Sequence, residues 1–205
     1  MSAADISLEQ AIRQRRSVRA YKPDLVPQDV LQSIFELAQW APSNCNVQPW
    51  KVCVASGALR DRLSAEMQRR IREGVTPNPD YEYRGDFVGE YRTRQVECAV
   101  MRNFEFFDAP YMAFIGMDRA FGTTVAIDVG MYAQNLMLLL VAHGLHSCPM
   151  GTMRNYPDLV REAFDLDENQ RILFGLAFGY EDTTAPANRT RTTRDPVSAS
   201  VMFRS

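Results

Sequence analysis

With 205 residues, 46% of them apolar and 23% charged, and a formal net charge of −2, the chain has the make-up of one globular domain able to bury a real core. The slightly acidic balance argues against general attraction to nucleic acid or to a membrane surface, so its arginine clusters serve local purposes. Four scattered cysteines without a C-x-x-C pair, and only two histidines (His143 and His146), leave no disulfide framework, no zinc site and few places for a histidine-based nucleophilic mechanism. The thiols fit a reducing cytoplasm, and residues 1–5 carry neither a basic nor an apolar leader region, so no secretory signal is expected. The longest unbroken apolar run, Leu136 to Ala142, is too short to span a bilayer.

Ser7 and Gln10 form a capping-box pattern ahead of a short helix with Leu8, Ala11 and Ile12 on one face. That helix delivers Arg15-Arg16-Ser17-Val18-Arg19, flanked by Arg13 and Lys22, with no acid between Glu9 and Asp24. Guanidinium forks match phosphate and keep their charge when desolvated, although a run of this kind can equally be a solvated basic helix end. Pro27 opens a second helix with Val30, Leu31, Ile34, Phe35, Leu37, Ala38 and Ala41 at helical spacing, and Pro42 stops it. Ser43 to Pro49 is a polar turn whose Ser and Asn side chains either satisfy their own backbone or present donors and acceptors to the edge of a flat heterocycle. A strand over Trp50–Ala55 and a helix bearing Leu59, Leu63, Met67 and Ile71 follow.

Residues 72–95 change character. Gly74, Pro77 and Pro79 break the periodicity, and Tyr81, Tyr83, Phe87 and Tyr91 stand among Arg84, Arg92 and Arg94. Such a segment fits a lid over a planar, electron-poor ligand, or a helical hairpin packed on a partner subunit. Val96, Val100, Phe104 and Phe107 mark a helix closed by Asp108-Ala109-Pro110, ahead of a strand over Tyr111–Gly116. After the link 117–123, Thr124 is placed to cap a helix from Val125 to His143 that is apolar nearly all round, buried in the core or in a subunit interface, with Gly144 as its left-handed cap. Ser147–Gly151 reads as a tight loop, Asn155 as the cap of a short helix through Phe164, and Arg171–Gly179 as a buried strand in which the G-x-x-x-G spacing carries little meaning. The tail holds Arg189, Arg191 and Arg194 and ends in Val201-Met202-Phe203, apolar enough to need a docking surface. Strands separated by helices imply an α+β or three-layer arrangement in one domain, and no Walker or G-x-G-x-x-G motif supports a P-loop or Rossmann site.

Arg15–Arg19 followed by Pro42-Ser43-Asn44-Cys45-Asn46-Val47-Gln48-Pro49-Trp50 resembles the FMN-dependent nitroreductase family, whose members read R-R/H-S-x-R/K and then P-S-x-x-N-x-Q-P-W. The likeness extends to Asp108-Ala109-Pro110, to Gln134-Asn135-Leu136 and Gly144-Leu145, to Pro149-Met150-Gly151 and to the basic tail. It implies a three-layer α-β-α sandwich with a mostly antiparallel central sheet. It also implies an intertwined homodimer with FMN sites at the subunit interface, residues 180–205 being the exchanged tail and 72–95 the lid.

On this resemblance Arg15, Arg16, Ser17 and Arg19 of one subunit hold the flavin phosphate and pyrimidine edge, and Pro42, Ser43, Asn44 and Asn46 come from the other. The turn Pro149, Met150, Gly151 presents a backbone N–H to flavin N5, and Arg191 or Arg194 completes the phosphate site. The implied activity is ping-pong reduction of nitroaromatics by NAD(P)H, with the flavin supplying the redox chemistry and no catalytic side chain required. Two departures stand out: Arg102 and Glu105 occupy positions where some relatives carry other flavin-edge residues, and the link 117–123 is too short for a helical lid. A reductive dehalogenase or a flavin-destroying enzyme of the same superfamily is an alternative. So, from another class, is a phospholigand- or RNA-binding module, against which the acidic balance counts.

Overall fold

A strand buried on both sides sorts its side chains into two cores. In the computed structural model, which describes residues 6–81 and 100–204, four strands form one antiparallel sheet in the order β1 (Trp50–Ser56), β2 (Tyr111–Asp118), β4 (Gln170–Gly179) and β3 (His146–Met150). Along β2, Tyr111, Ala113, Ile115 and Met117 enter one core and Met112 and Phe114 the other, the period-two alternation of a pleated strand. The helices divide accordingly. With α1 (Leu8–Gln14) as the first, α2 (Gln28–Ala38) and the later α5 (Ala126–Ala142) pack on the Tyr111 face. On the Met112 face lie α3 (Gly57–Arg72), α4 (Val100–Phe104) and α6 (Pro157–Ala163). This is the three-layer sandwich expected from the sequence.

Local signals hold at several ends. The capping box of α1 forms, with Ser7 N–H donating to Gln10 Oε1 at 2.7 Å and Gln10 N–H donating to Ser7 Oγ at 3.2 Å. Gly144, at φ 74°, closes α5, and Leu145 N–H reaches back to the Leu140 carbonyl at 2.8 Å. Gly175 and Gly179 matter more than their spacing suggested. A Cβ on Gly175 would stand 2.0 Å from Met112 Cε, and one on Gly179 would stand 2.8 Å from Pro110 Cδ. Each is needed separately for close packing on the sheet.

Other expectations are corrected. Only Ala11 of α1 is buried, whereas Leu8 and Ile12 are 67% and 53% exposed. Ser147–Met150 is not a loop but most of β3, the last strand of the sheet, whose ladder runs along β4 and whose outer side is unladdered at Pro149, which is why proline is tolerated there. Neither Thr124 nor Asn155 is the N-cap of its α-helix. Thr124 lies in a 3₁₀ turn before α5, and α6 opens on Pro157 after Tyr156.

Helix α5 is not buried all round in the single chain: Ile127 is 62% exposed, and Met131 and Leu138 are half-buried along the same face. The stretch Thr123–Ala142, 20 residues at mean hydropathy 1.6, is long and apolar enough to cross a bilayer, which the seven-residue run had hidden. Here it is laid on the sheet, with Val129, Tyr132, Ala133, Leu136 and Leu140 in the core.

The start of the expected lid is tied down. Asp80 accepts from Arg161 Nη1 at 2.8 Å and from Ile172 N–H at 2.8 Å, and Tyr156 donates to the Val75 carbonyl at 2.9 Å.

Candidate functional site

After α1 the chain runs beside the sheet's free edge. Ser17 bridges Ser147 in parallel, and Val18 N–H donates to the Ser147 carbonyl at 3.1 Å. On its other side the same segment is zipped to the chain leaving β4. Tyr21 bridges Glu181, Lys22 N–H donates to the Tyr180 carbonyl at 2.9 Å, and Asp182 N–H donates to the Ala20 carbonyl at 3.1 Å. Buried Val18 and Tyr21 anchor it in the Met112-side core, while Arg15, Arg16, Ser17 and Arg19 line a cavity. Asn188, itself buried, fixes the tail: its Oδ1 accepts from Arg19 N–H at 2.8 Å, and its Nδ2 donates to the carbonyls of Ala20 and Asp182, each at 2.8 Å.

These constraints form a cavity of about 1140 Å³, with Arg15, Arg16, Ser17 and Arg19 on one side, Arg191 and Arg194 from the tail on another, and His146 of β3 and, from α1, Leu8, Ile12 and the Glu9–Arg13 ion pair among the rest of its lining. Six residues expected to hold an anion, separated by some 170 positions of chain, are thus brought together. The site is electrostatically unfinished. Burial holds the Arg15 guanidinium below its ordinary pKa, and the neighbouring charge of Arg194 lowers it further, only partly opposed by Cys148. Arg191 donates to the carbonyls of Asn188 and Thr190, and Arg194 to Thr192 Oγ1 and the Thr193 carbonyl, so backbone oxygens hold both side chains at the cavity.

Arg16 behaves differently from its neighbours. Its Nη2 contacts both oxygens of the buried Glu181 carboxylate at 2.5 Å. Its Nη1 is buried without a partner among the described residues, as are His146 Nδ1, Ser147 Oγ and Thr152 Oγ1. His146 Nε2 lies 3.7 Å from Glu181 Oε2, and burial lowers the imidazole pKa against the upward pull of Glu181, with Arg16 adding to the lowering. Of these residues Arg16 and His146 line the cavity, and orphaned donors among a cluster of guanidiniums suit a ligand that carries a phosphate monoester. The turn Pro149, Met150, Gly151 ends β3 at the same sheet edge, with Pro149 and Gly151 exposed and Met150 buried.

The second motif lies elsewhere. Pro42, Ser43, Asn44 and Asn46 form an exposed bend with left-handed backbone at Cys45, Asn46 and Gln48 (φ 48°, 57° and 45°). It is held by Asn44 N–H donating to Asp128 Oδ2 at 3.0 Å and Gln48 N–H donating to Ser43 Oγ at 3.0 Å. The bend leads into Trp50, which pairs with Met117 and through it with Arg171 at the start of β4. The arginine segment instead joins Ser147, opposite Phe178 at the end of β4. Seven residues of strand, about 23 Å, separate the two ends, so one chain does not bring both motifs to one ligand.

Tyr81 sits at the far end with the bend, its ring 5.7 Å from the Arg171 guanidinium, and does not line the arginine cavity. Tyr83, Phe87 and Tyr91 fall outside the described residues. Arg102 is engaged with Glu105 and Asp108. Sequence reasoning missed Glu181, His146 and Asn188. No local pattern marks them, and only the antiparallel zipper between residues 18–22 and 180–188 reveals what they do.

A family model described as the nitroreductase family matches residues 12–180. The chain is 37% identical to nitroreductase NfnB of Mycolicibacterium smegmatis, over 95% of this chain and 92% of that protein. It is 33% identical to a 4-nitrobenzoate reductase of Nocardioides sp., over 94% and 87% of the two chains. Among solved structures, the FMN-dependent nitroreductase NfnB from Mycobacterium smegmatis in complex with NADPH superposes with a TM-score of 0.88 at 36% identity, covering 96% of this chain and 97% of that one. An FMN and NADPH-dependent NfnB from a Sphigopyxis strain superposes at 0.90 with 31% identity, covering 98% and 100%.

Proposed function

The chain belongs to the nitroreductase family, and we propose that it is an FMN-dependent oxidoreductase that uses NAD(P)H to reduce nitroaromatic compounds. The observation that carries this reading is the convergence of Arg15, Arg16, Ser17, Arg19, Arg191 and Arg194 on one cavity, with Arg15 depressed by burial and by Arg194. A phosphate dianion relieves that repulsion and gains charge-assisted hydrogen bonds, each worth about 1.5–3 kcal/mol net. When bound, FMN supplies the hydride chemistry between NAD(P)H and the nitro group. The protein's own residues bind and orient. Arg15, Arg19 and the tail arginines hold the phosphate, and the Pro149–Gly151 turn offers its backbone at the ring.

The remaining half of the site, Pro42, Ser43, Asn44 and Asn46, comes in this reading from a second copy of the chain. Three observations support such a homodimer: the separation of the two motifs along β4, the outer face of α5, and the exposed Met202 and Phe203 at 82% and 86%. Residues 180–188 are bonded to their own chain, so an exchanged tail starts after Asn188 rather than at 180. The lid is assigned to 72–95, with its first ten residues as a fixed base. That Cys45 and Cys53 are in no disulfide suits the cytoplasm. Relatives named for nitro compounds favour a nitroaromatic over a halophenol or a nucleic acid.

The test is anaerobic turnover of 4-nitrobenzoate with NADPH or NADH after reconstitution with FMN. A yellow protein giving parallel double-reciprocal lines is expected. A preparation that stays colourless with FMN, or that turns over halophenols but no nitroaromatic, overturns the reading.

A further inference from the structure

Glu181 is a buried carboxylate that meets two residues of the arginine cavity's lining, Arg16 and His146, and the backbone fixes its place. It sits at the bridge to Tyr21, between Lys22 N–H on the Tyr180 carbonyl and Asp182 N–H on the Ala20 carbonyl. Its side chain is 7% exposed, a costly setting for a charge unless it is paired, and Arg16 Nη2 engages both its oxygens. His146, which lines the same cavity, approaches the same carboxylate at 3.7 Å. Of the three arginines at 15, 16 and 19, only Arg16 forms an ion pair among the described residues. Because Glu181 is held by main-chain bonds and Arg16 reaches it at the end of a long flexible stem, the constraint runs from the carboxylate to the guanidinium.

We infer that Glu181 is a positioning residue: it withdraws Arg16 from the guanidiniums open to an anion and, through Arg16, sets the strand that presents Arg15, Ser17 and Arg19. In its absence Arg16 would swing toward Arg15 and Arg194, adding a like charge to a group already disfavoured. On the family resemblance Arg16 holds the cofactor directly. The pairing instead makes it a brace, and Arg16→Ala leaves a buried carboxylate alone.

The inference rests on the flavin reading for its ligand, and two conservative variants separate position from charge. Glu181→Gln keeps the reach and loses the charge, whereas Glu181→Asp keeps the charge and shortens the reach. Titration of apoprotein with FMN is expected to give Glu181→Gln within about threefold of the parent and Glu181→Asp about tenfold weaker. In an Arg16→Ala background the two variants should be indistinguishable, because the effect acts through Arg16. The reverse order, or variants that still differ without Arg16, would falsify the inference while leaving the flavin reading intact. Should the parent protein take no FMN, the flavin reading fails by itself, and the same ordering is then read with inorganic phosphate as the probe.

Discussion

The segment 15–22 and the bend 42–50 are both polar, both follow a helix, and both carry the family's motifs, yet the fold treats them in opposite ways. The first is bonded on two sides, to Ser147 of β3 and to the chain from Tyr180 to Asn188, and its arginines meet the tail arginines inside one chain. The second folds on itself, accepts strained left-handed backbone at three non-glycine residues, and is held chiefly by Asp128. In the proposed dimer, one half-site is assembled within the chain, and the other, at the opposite end of the sheet, would come from a second copy. A shared motif therefore fixes which residue types meet a ligand, while topology decides whether they meet it in cis.

The sharpest way to break this comparison is Arg15→Ala. It should weaken FMN binding about 10- to 100-fold, the loss of one charge-assisted contact or slightly more. The apoprotein should melt no lower, because burial and Arg194 already disfavour the Arg15 charge. Affinity lost together with stability would show that Arg15 is structural. The mirror-image experiment is Asp128→Ala. Here the buried acceptor of Asn44 N–H disappears, and stability should fall by about 1–3 kcal/mol in chemical denaturation. Binding of inorganic phosphate at the arginine cavity should not change. If both variants move the same observable, the two regions are not separate in the way the sheet register implies.

Much of this was legible in the chain because local rules agreed with the tertiary result. Ser7 and Gln10 cap α1, Gly144 ends α5, and the apolar run from Tyr111 forms the buried β2. The errors cluster where pairing at a distance overrides local preference. Ser147–Met150 contains proline and polar residues and reads as a loop, but the free edge of β4 recruits it into the sheet. Helix α5 is apolar on more faces than one chain covers, and its outer face is the one assigned to a second copy. Glu181 and Asn188 had no signature at all, since their roles depend on residues more than 160 positions away.

The smallest effect expected is a pH dependence confined to the arginine region. Burial is the largest influence on His146 and lowers its pKa from 6.5; Arg16 acts in the same direction and Glu181 against it. A histidine depressed in the folded state binds fewer protons there than in the unfolded chain, so stability rises with pH across that window. Its contribution is complete above 6.5 and is lost as pH falls through the folded value. His143, also depressed by burial, adds a slope of the same sign, so the measurement compares His146→Gln with His143→Gln. Asp182, lowered from 3.8 by Thr184, and Glu66, held at about 2 by Arg69 and Arg70, act in the same sense only at more acid pH and do not overlap. His146→Gln should therefore flatten the melting-temperature profile just below 6.5 and leave the acid limb alone. A slope of opposite sign, lost in the same variant, would mean that attraction to Glu181 outweighs burial. His146 would then be a charged member of the Arg16–Glu181 brace rather than a neutral neighbour of it.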